Sequence, residues 1–221
     1  MSKGKGPKKP LSKATVALLE QLRRLHGVRD LPERFLVVCE DGKSAPNYFE
    51  ALKKHFNLSA TSIMVVGGGG RTQPTQIVSR AIEIKQNATD AESGTEPFNH
   101  VWCVIDGDYG AKINNARAMA KANGVELAIS TMCVEYWVLL HFEHSSSPTV
   151  DCDALVHCLR TRHLTQYEKG SCDFRTIVEQ VHGACNRAEK SRRPGIARGD
   201  HPENQNPCTE VYKLIKAILD S

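Results

Sequence analysis

The stretch HVWCVIDGDYG, His100–Gly110, decides how the rest of the chain is read. Its apolar run, Val101 to Ile105, gives way without transition to Asp106, Gly107 and Asp108. A short continuous apolar run bounded by turn residues reads as a strand buried on both faces. In open α/β sheets, ligands bind beyond the carboxyl ends of the strands, and that is where these two aspartates emerge. Two carboxylates so close repel each other unless a cation lies between them. An all-oxygen site of this kind suits Mg²⁺, with Mn²⁺ as a substitute.

Upstream, a second apolar run has the same ending. Phe35–Cys39, FLVVC, leads into Glu40, Asp41 and Gly42. A helix is expected over Ala45 to Phe56, with Tyr48, Phe49, Leu52 and Phe56 as its buried stripe and Ser44 and Pro46 at its start. Ser62 to Val66 reads as a short strand running into Gly67–Gly70, a glycine run that either cradles a phosphate at the next helix N-terminus or serves as a flexible crossover. A helix over Pro74 to Asn87 and a polar surface loop from Asn87 to Asn99 lead to the central strand.

Downstream, Asn114 to Asn123 reads as a helix closed by Gly124, Val125 to Ser130 as a strand, and Thr131 to Phe142 as a helix. This alternation predicts an α/β fold: a mostly parallel central sheet flanked by helices. Ser145 to Pro148 marks a boundary, after which no strong strand is expected. Helices are predicted over Cys152 to Thr161, Cys172 to Lys190 and Thr209 to Leu219, with a loop from Ser191 to Pro207. At the other end, Met1 to Lys13 forms a basic tail, Ala14 to His26 has helical periodicity, and Leu31-Pro32 marks a loop. The predicted organisation is a tail and N-terminal helix over 1–30, an α/β core over 31–145 and a helical C-terminal region over 146–221 that packs on the core.

Composition excludes little. The chain has 221 residues, 40% hydrophobic and 24% charged, ordinary values for a globular protein. No apolar segment is long enough to cross a bilayer and no signal core follows the basic start, so a cytoplasmic protein without membrane contact is expected. The 8 cysteines are scattered without a CxxC pair, and are read as reduced, mostly buried thiols. A net charge of +4 and a pI near 8.6 permit nucleic-acid binding without demanding it. The tail either solubilises the chain or touches a phosphate backbone non-specifically.

Glu40, Asp106 and Asp108 therefore form the candidate constellation. If their strands are neighbours, the carboxylates share one sheet edge and can hold Mg²⁺, which neutralises a phosphate and helps form an attacking hydroxide. Rival motifs fail. Asp41–Ser44, DGKS, lacks the upstream glycine of a P-loop, whose place falls on Val37 inside a strand. Tyr109 and Gly110 follow the DxD where a phosphatase of that type carries Thr. His141 and His144 lack zinc-site spacing with the cysteines, and His141 reads as a core histidine. The basic stretch Arg187 to Arg198, with Lys190, Arg192 and Arg193, either lines a nucleic-acid groove or is a solvated loop. Lys43 is a further candidate for nucleic-acid contact.

A Glu after a first strand and DxD after a later one resemble the TOPRIM domain of topoisomerases, bacterial primases and OLD-family nucleases. The likeness sharpens at FLVVCEDGKSAPNYF, which resembles the opening of the RloB-like family, a strand followed by EG, a short turn and TEPNYF. VWCVIDGDYG, AISTMCVEYWVLLHFE (Ala128–Glu143) and NPCTEVYKLI (Asn206–Ile215) resemble its later blocks. The resemblance runs over most of the chain from Arg34 onward. It implies a TOPRIM-type protein of prokaryotic defence loci that cleaves nucleic acid, DNA or RNA including tRNA, during phage infection. It also implies an ATPase partner, and a homo-oligomer is compatible with it. Glu40 matches the family Glu, as metal ligand or general base, and Asp106 and Asp108 match the metal-holding DxD. Glu135 matches a later Glu, as a second-metal ligand or a helix-start acid favoured by the dipole. Lys169 is a candidate phosphate contact or oxyanion stabiliser; the alternative is an exposed lysine. The chain departs from the pattern at Asp41, where the family has Gly, and at Ala45, where it has Glu. The second change implies one metal, compensation by Asp41 or Glu50, or a disabled site, whose bearer would work as a nucleic-acid-binding or regulatory subunit of an ATPase.

Overall fold

The computed structural model describes residues 33–59, 62–89 and 96–221. The expected basic tail, N-terminal helix and Leu31-Pro32 loop, and with them the 1–30 segment, lie outside the described residues. Glu33–Ser221 forms one compact unit.

The two acid-tipped strands are neighbours. The sheet takes β1 (Phe35–Cys39), β2 (Ile63–Gly67), β3 (His100–Asp106), β4 (Glu126–Thr131) and β5 (Cys208–Thr209) in the order β2-β1-β3-β4-β5. The first four run parallel and β5 is antiparallel to β4. Cys39 pairs with Val104 and Asp106 with Ser130, so β1, β3 and β4 all end at one edge.

Alternation along the strands divides the apolar residues between two faces. Phe35, Val37, Cys39, Trp102 and Val104 pack with α1 (Ser44–His55), α4 (Glu135–Leu139), α5 (Cys152–Arg162), α6 (Val181–Arg198) and α7 (Val211–Leu219). Leu36, Val38, Val101, Cys103 and Ile105 pack with α2 (Pro74–Thr89) and α3 (Lys112–Ala122). Burial on both faces explains the unbroken apolar runs. The α7 stripe of Val211, Leu214, Ile215 and Ile218 is buried as its periodicity predicts.

Five local expectations are corrected. The segment expected as a loop from Ser191 continues α6 to Arg198, through Pro194. Its Gly and Arg serve tertiary packing: a Cβ at Gly195 would lie 1.9 Å from Gln205 Oε1, and Arg192, buried, donates to Gln205 Oε1 and to the Asp200 carbonyl. The true stop is Gly199, left-handed at φ 76°, where Asp200 N donates to the Gly195 carbonyl. The helix expected over Thr131 to Phe142 is helical only at Glu135–Leu139, because Gly107 N bonds the Ser130 and Met132 carbonyls and draws the preceding residues into the sheet edge. The helix expected from Cys172 begins at Val181, after a 3-10 turn at Val178–Gln180, and β5 adds a short strand beyond the boundary. Finally, Cys133 and Cys152 are disulfide-linked rather than reduced, while Cys39, Cys103, Cys158, Cys172, Cys185 and Cys208 are free.

Candidate functional site

Strand parity sends the first acids to different sides of the edge. Cys39 belongs to the α1 face, so Glu40 turns toward the α2 and α3 face. Val104 belongs to the α1 face, and Asp106 follows it there. They meet across the edge: the Asp106 amide donates to Glu40 Oε2 at 3.1 Å. Gly107 makes this crossing feasible, since a Cβ there would lie 2.5 Å from Thr131 Oγ1 and 3.0 Å from Thr131 Cα.

Glu40 is held at both oxygens. Besides the Asp106 amide at Oε2, the Tyr109 hydroxyl donates to Oε1. The same hydroxyl lies 2.7 Å from the Thr72 carbonyl, beyond the glycine run. That run packs on Glu40, because a Cβ at Gly68 would lie 2.8 Å from the Glu40 carbonyl. Burial raises the Glu40 carboxyl above its ordinary value; the Tyr109 and Asp106 hydrogen bonds oppose the rise, and the charges of Asp108 and Asp41 add to it.

Asp106 carries the largest burden of charge. Burial pushes its carboxyl well up, and Glu40, Glu135 and Asp108 push in the same direction, against one favourable bond from Val134 N to Oδ1 at 3.1 Å. Glu135, the buried first residue of α4, is also raised by burial, opposed by the nearby Lys169 ammonium and by the Tyr167 hydroxyl, which reaches Oε1 at 3.3 Å. Asp108 is exposed beside them.

A cavity of about 330 Å³ opens on this face, lined by Asp41, Gly42, Lys43, Ser44, Asp106, Val134, Glu135 and Lys169. The C-terminal region supplies Tyr167 and Lys169. Gly170, at φ 83°, lets that loop close over Lys43, whose Cβ would be 2.4 Å from any Cβ there, and its carbonyl accepts from Asn47 at 2.9 Å. Lys43 and Lys169 are thus exposed cations on the cavity wall.

The departures from the family pattern have distinct local roles. Asp41 accepts from Ser44 N at 2.5 Å and from Ala45 N at 3.2 Å, capping the first turn of α1 while it lines the cavity. Ala45 is 2% exposed and its methyl joins the core. Glu50 lies further along α1, paired with Lys53 at 2.9 Å, and does not line this cavity.

The remaining basic candidates divide. Lys190 and Arg193 are exposed on α6. Arg187 donates to the Leu140 and His141 carbonyls, and Arg192 is held inside the fold, so neither guanidinium is directed to a surface groove. His141 is a core residue: with Nδ1 donating to the Trp137 carbonyl, Nε2 accepts from the Tyr48 hydroxyl at 3.0 Å, and burial lowers its pKa to about 4.

The donor set fits a hard divalent cation. Glu40, Asp106 and Asp108 are oxygen donors, the charge of Asp108 raises the carboxyls of both Glu40 and Asp106, and among the described residues none of them forms a salt bridge with Lys, Arg or His. Among the described residues, the group of three whose ligand atoms all lie within 4.8 Å of one another is Cys133, Glu135 and Cys152, two of them tied in the disulfide and unsuited to such an ion; Glu40, Asp106 and Asp108 are spread more widely than that, so a cation would have to draw them together. Sequence reasoning missed Tyr109, Tyr167 and the Val134 amide. Tyr109 stands in view after DGD, but its partner Glu40 lies 69 positions away and that of Tyr167 lies 32 away, so neither role shows in the sequence.

The family model described as RloB-like protein matches residues 35–218. No curated protein and no solved structure matches the chain.

Proposed function

Because the chain belongs to the RloB-like protein family, we propose that it is a divalent-metal-dependent endonuclease that cuts nucleic-acid phosphodiester bonds at the edge formed by Glu40, Asp106 and Asp108. The observation that carries the reading is the concentration of carboxylates at one sheet edge beside a cavity, with Glu40, Asp106 and Asp108 in no ion pair with Lys, Arg or His among the described residues. Asp106 and Asp108 would hold Mg²⁺ or Mn²⁺, with Glu40 completing the site. When bound, the cation supplies Lewis-acid neutralisation of the phosphate and a lowered pKa for an attacking water. Glu40, partly buried and held between two donors, would serve either as that further ligand or as the group that takes the attacking water's proton. Lys43 and Lys169 place positive charge on the cavity wall to hold phosphate oxygens. Lys190 and Arg193, exposed on α6, would offer further basic contacts to the polynucleotide. A TOPRIM-type lineage and a role in antiphage defence rest on the family resemblance.

A second reading is favoured by Ala45: without a carboxylate from the first turn of α1, the site is reduced to a cation-binding regulatory element of a subunit that works through an ATPase. One assay separates the two. The purified protein is incubated with Mg²⁺ or Mn²⁺ on tRNA, single-stranded RNA and duplex DNA, beside the Asp106→Ala/Asp108→Ala double variant. Metal-dependent cleavage lost in the double variant is the expected result. Cleavage by the double variant at the parent rate removes the proposed site, and metal binding without cleavage selects the regulatory reading.

A further inference from the structure

The catalytic reading assigns roles to the acids but none to the phenol between them. Tyr109 is one residue from Asp108, and its ring packs against the core on the α2 and α3 face. Its hydroxyl lies within hydrogen-bond reach of two acceptors, Glu40 Oε1 and the Thr72 carbonyl. A phenol carries one proton, so at any moment it serves one acceptor. The bond to an ionised carboxylate is the stronger, and the carbonyl fixes where the oxygen sits. On the other oxygen of Glu40 the donor is the Asp106 amide, which the strand backbone cannot move. Glu40 is therefore gripped from two sides, by a strand and by a side chain anchored to the loop that follows β2.

We infer that Tyr109 is a positioning residue for Glu40: its hydroxyl fixes the carboxylate at the sheet edge in the orientation that completes the cation site. Each carboxylate oxygen has a second lone pair, so Glu40 can meet a cation while both donors stay in place. Without the hydroxyl, Oε1 loses its only donor among the described residues and the side chain gains rotameric freedom that cation binding must then remove. Donors that orient metal-ligating groups commonly contribute about 10–100-fold in metal affinity.

The inference rests on the reading of Glu40, Asp106 and Asp108 as a cation site, and the test keeps the two apart. Mn²⁺ affinity is measured by calorimetry on the full chain and on Tyr109→Phe, Asp106→Asn, Glu40→Asp and the Glu40→Asp/Tyr109→Phe double variant, with the metal-free melting temperature of each. Phenylalanine keeps the ring and removes only the hydroxyl. The expected result is that Tyr109→Phe weakens Mn²⁺ about tenfold or more. Aspartate at position 40 keeps the charge but is one methylene short of the phenol, so Tyr109→Phe should add nothing in that background. A purely structural tyrosine would lower the melting temperature and leave Mn²⁺ affinity alone. Mn²⁺ affinity unchanged by Tyr109→Phe, or the same loss in both backgrounds, overturns the positioning role while wild-type binding lost in Asp106→Asn leaves the cation site standing. Failure of the wild type to bind Mn²⁺ overturns the site and the inference together.

Discussion

At the scale of single residues, Asp106 is where function and stability conflict. Burial and three neighbouring acids raise its carboxyl, and one amide hydrogen bond opposes them. A carboxyl whose pKa is raised on folding favours the folded state below its unfolded value, and that contribution is lost as the pH climbs through the folded value. Above the ordinary carboxylate range the metal-free protein therefore bears a cost at Asp106, as repulsion or as an added proton. Asparagine keeps the Oδ1 acceptor for Val134 N and removes the charge. Asp106→Asn should melt higher than the metal-free wild type, by about 2–4 °C for each kcal/mol of repulsion relieved in a chain of this size. It should also lose the further rise that Mn²⁺ gives the wild type through mass action. Differential scanning fluorimetry with and without Mn²⁺ checks both; a variant that melts lower, or that still responds to Mn²⁺, contradicts the assignment.

At the scale of elements, the β3–α3 turn decides how the acids are presented. Gly107 is buried, and its N–H is shared between the Ser130 and Met132 carbonyls. A Cβ would meet the Thr131 backbone at 3.0 Å, which a flexible side-chain end could not relieve. Gly107→Ala should destabilise the chain by about 1–3 kcal/mol in urea unfolding, the range for overpacking a well-filled interior. Gly110→Ala in the same turn has no nearby atom to strike and only the positive φ of 54° to strain it, so its loss should be smaller. Equal losses would mean that the turn, and not the contact with β4, sets the requirement. Elements also mark where sequence reading succeeded. β1 and β3 were legible because both faces are buried, which leaves unbroken apolar runs ending in acids. The end of α6 was not: Pro194 and Gly195 are ordinary breaker signals, and the buried Arg192 and Gln205 contacts that overrule them come from a later part of the chain.

At the scale of the molecule, the site is assembled from distant segments. The residue after β1 is Glu40, β3 gives Asp106 and the turn after it Asp108, α4 gives Glu135, and the loop near 167–169 puts Lys169 on the cavity wall and Tyr167 against Glu135. The acids could be read from the sequence because each follows an apolar strand; the hydroxyls and amides that orient them could not, because those contacts depend on which strands adjoin. The apolar cluster on the α1 face runs from β1 through α4 and α5 to α7, so the C-terminal helices complete the core as well as the site. The central claim is that this edge holds a divalent cation on the two aspartates. The most direct measurement is an anomalous-scattering map from crystals of the full chain grown with saturating Mn²⁺. The account predicts a peak about 2.1 Å from carboxylate oxygens of both Asp106 and Asp108, the ordinary distance for a small octahedral divalent ion, with Glu40 beside it. A map with no peak at that edge, or with Mn²⁺ bound only elsewhere, contradicts it.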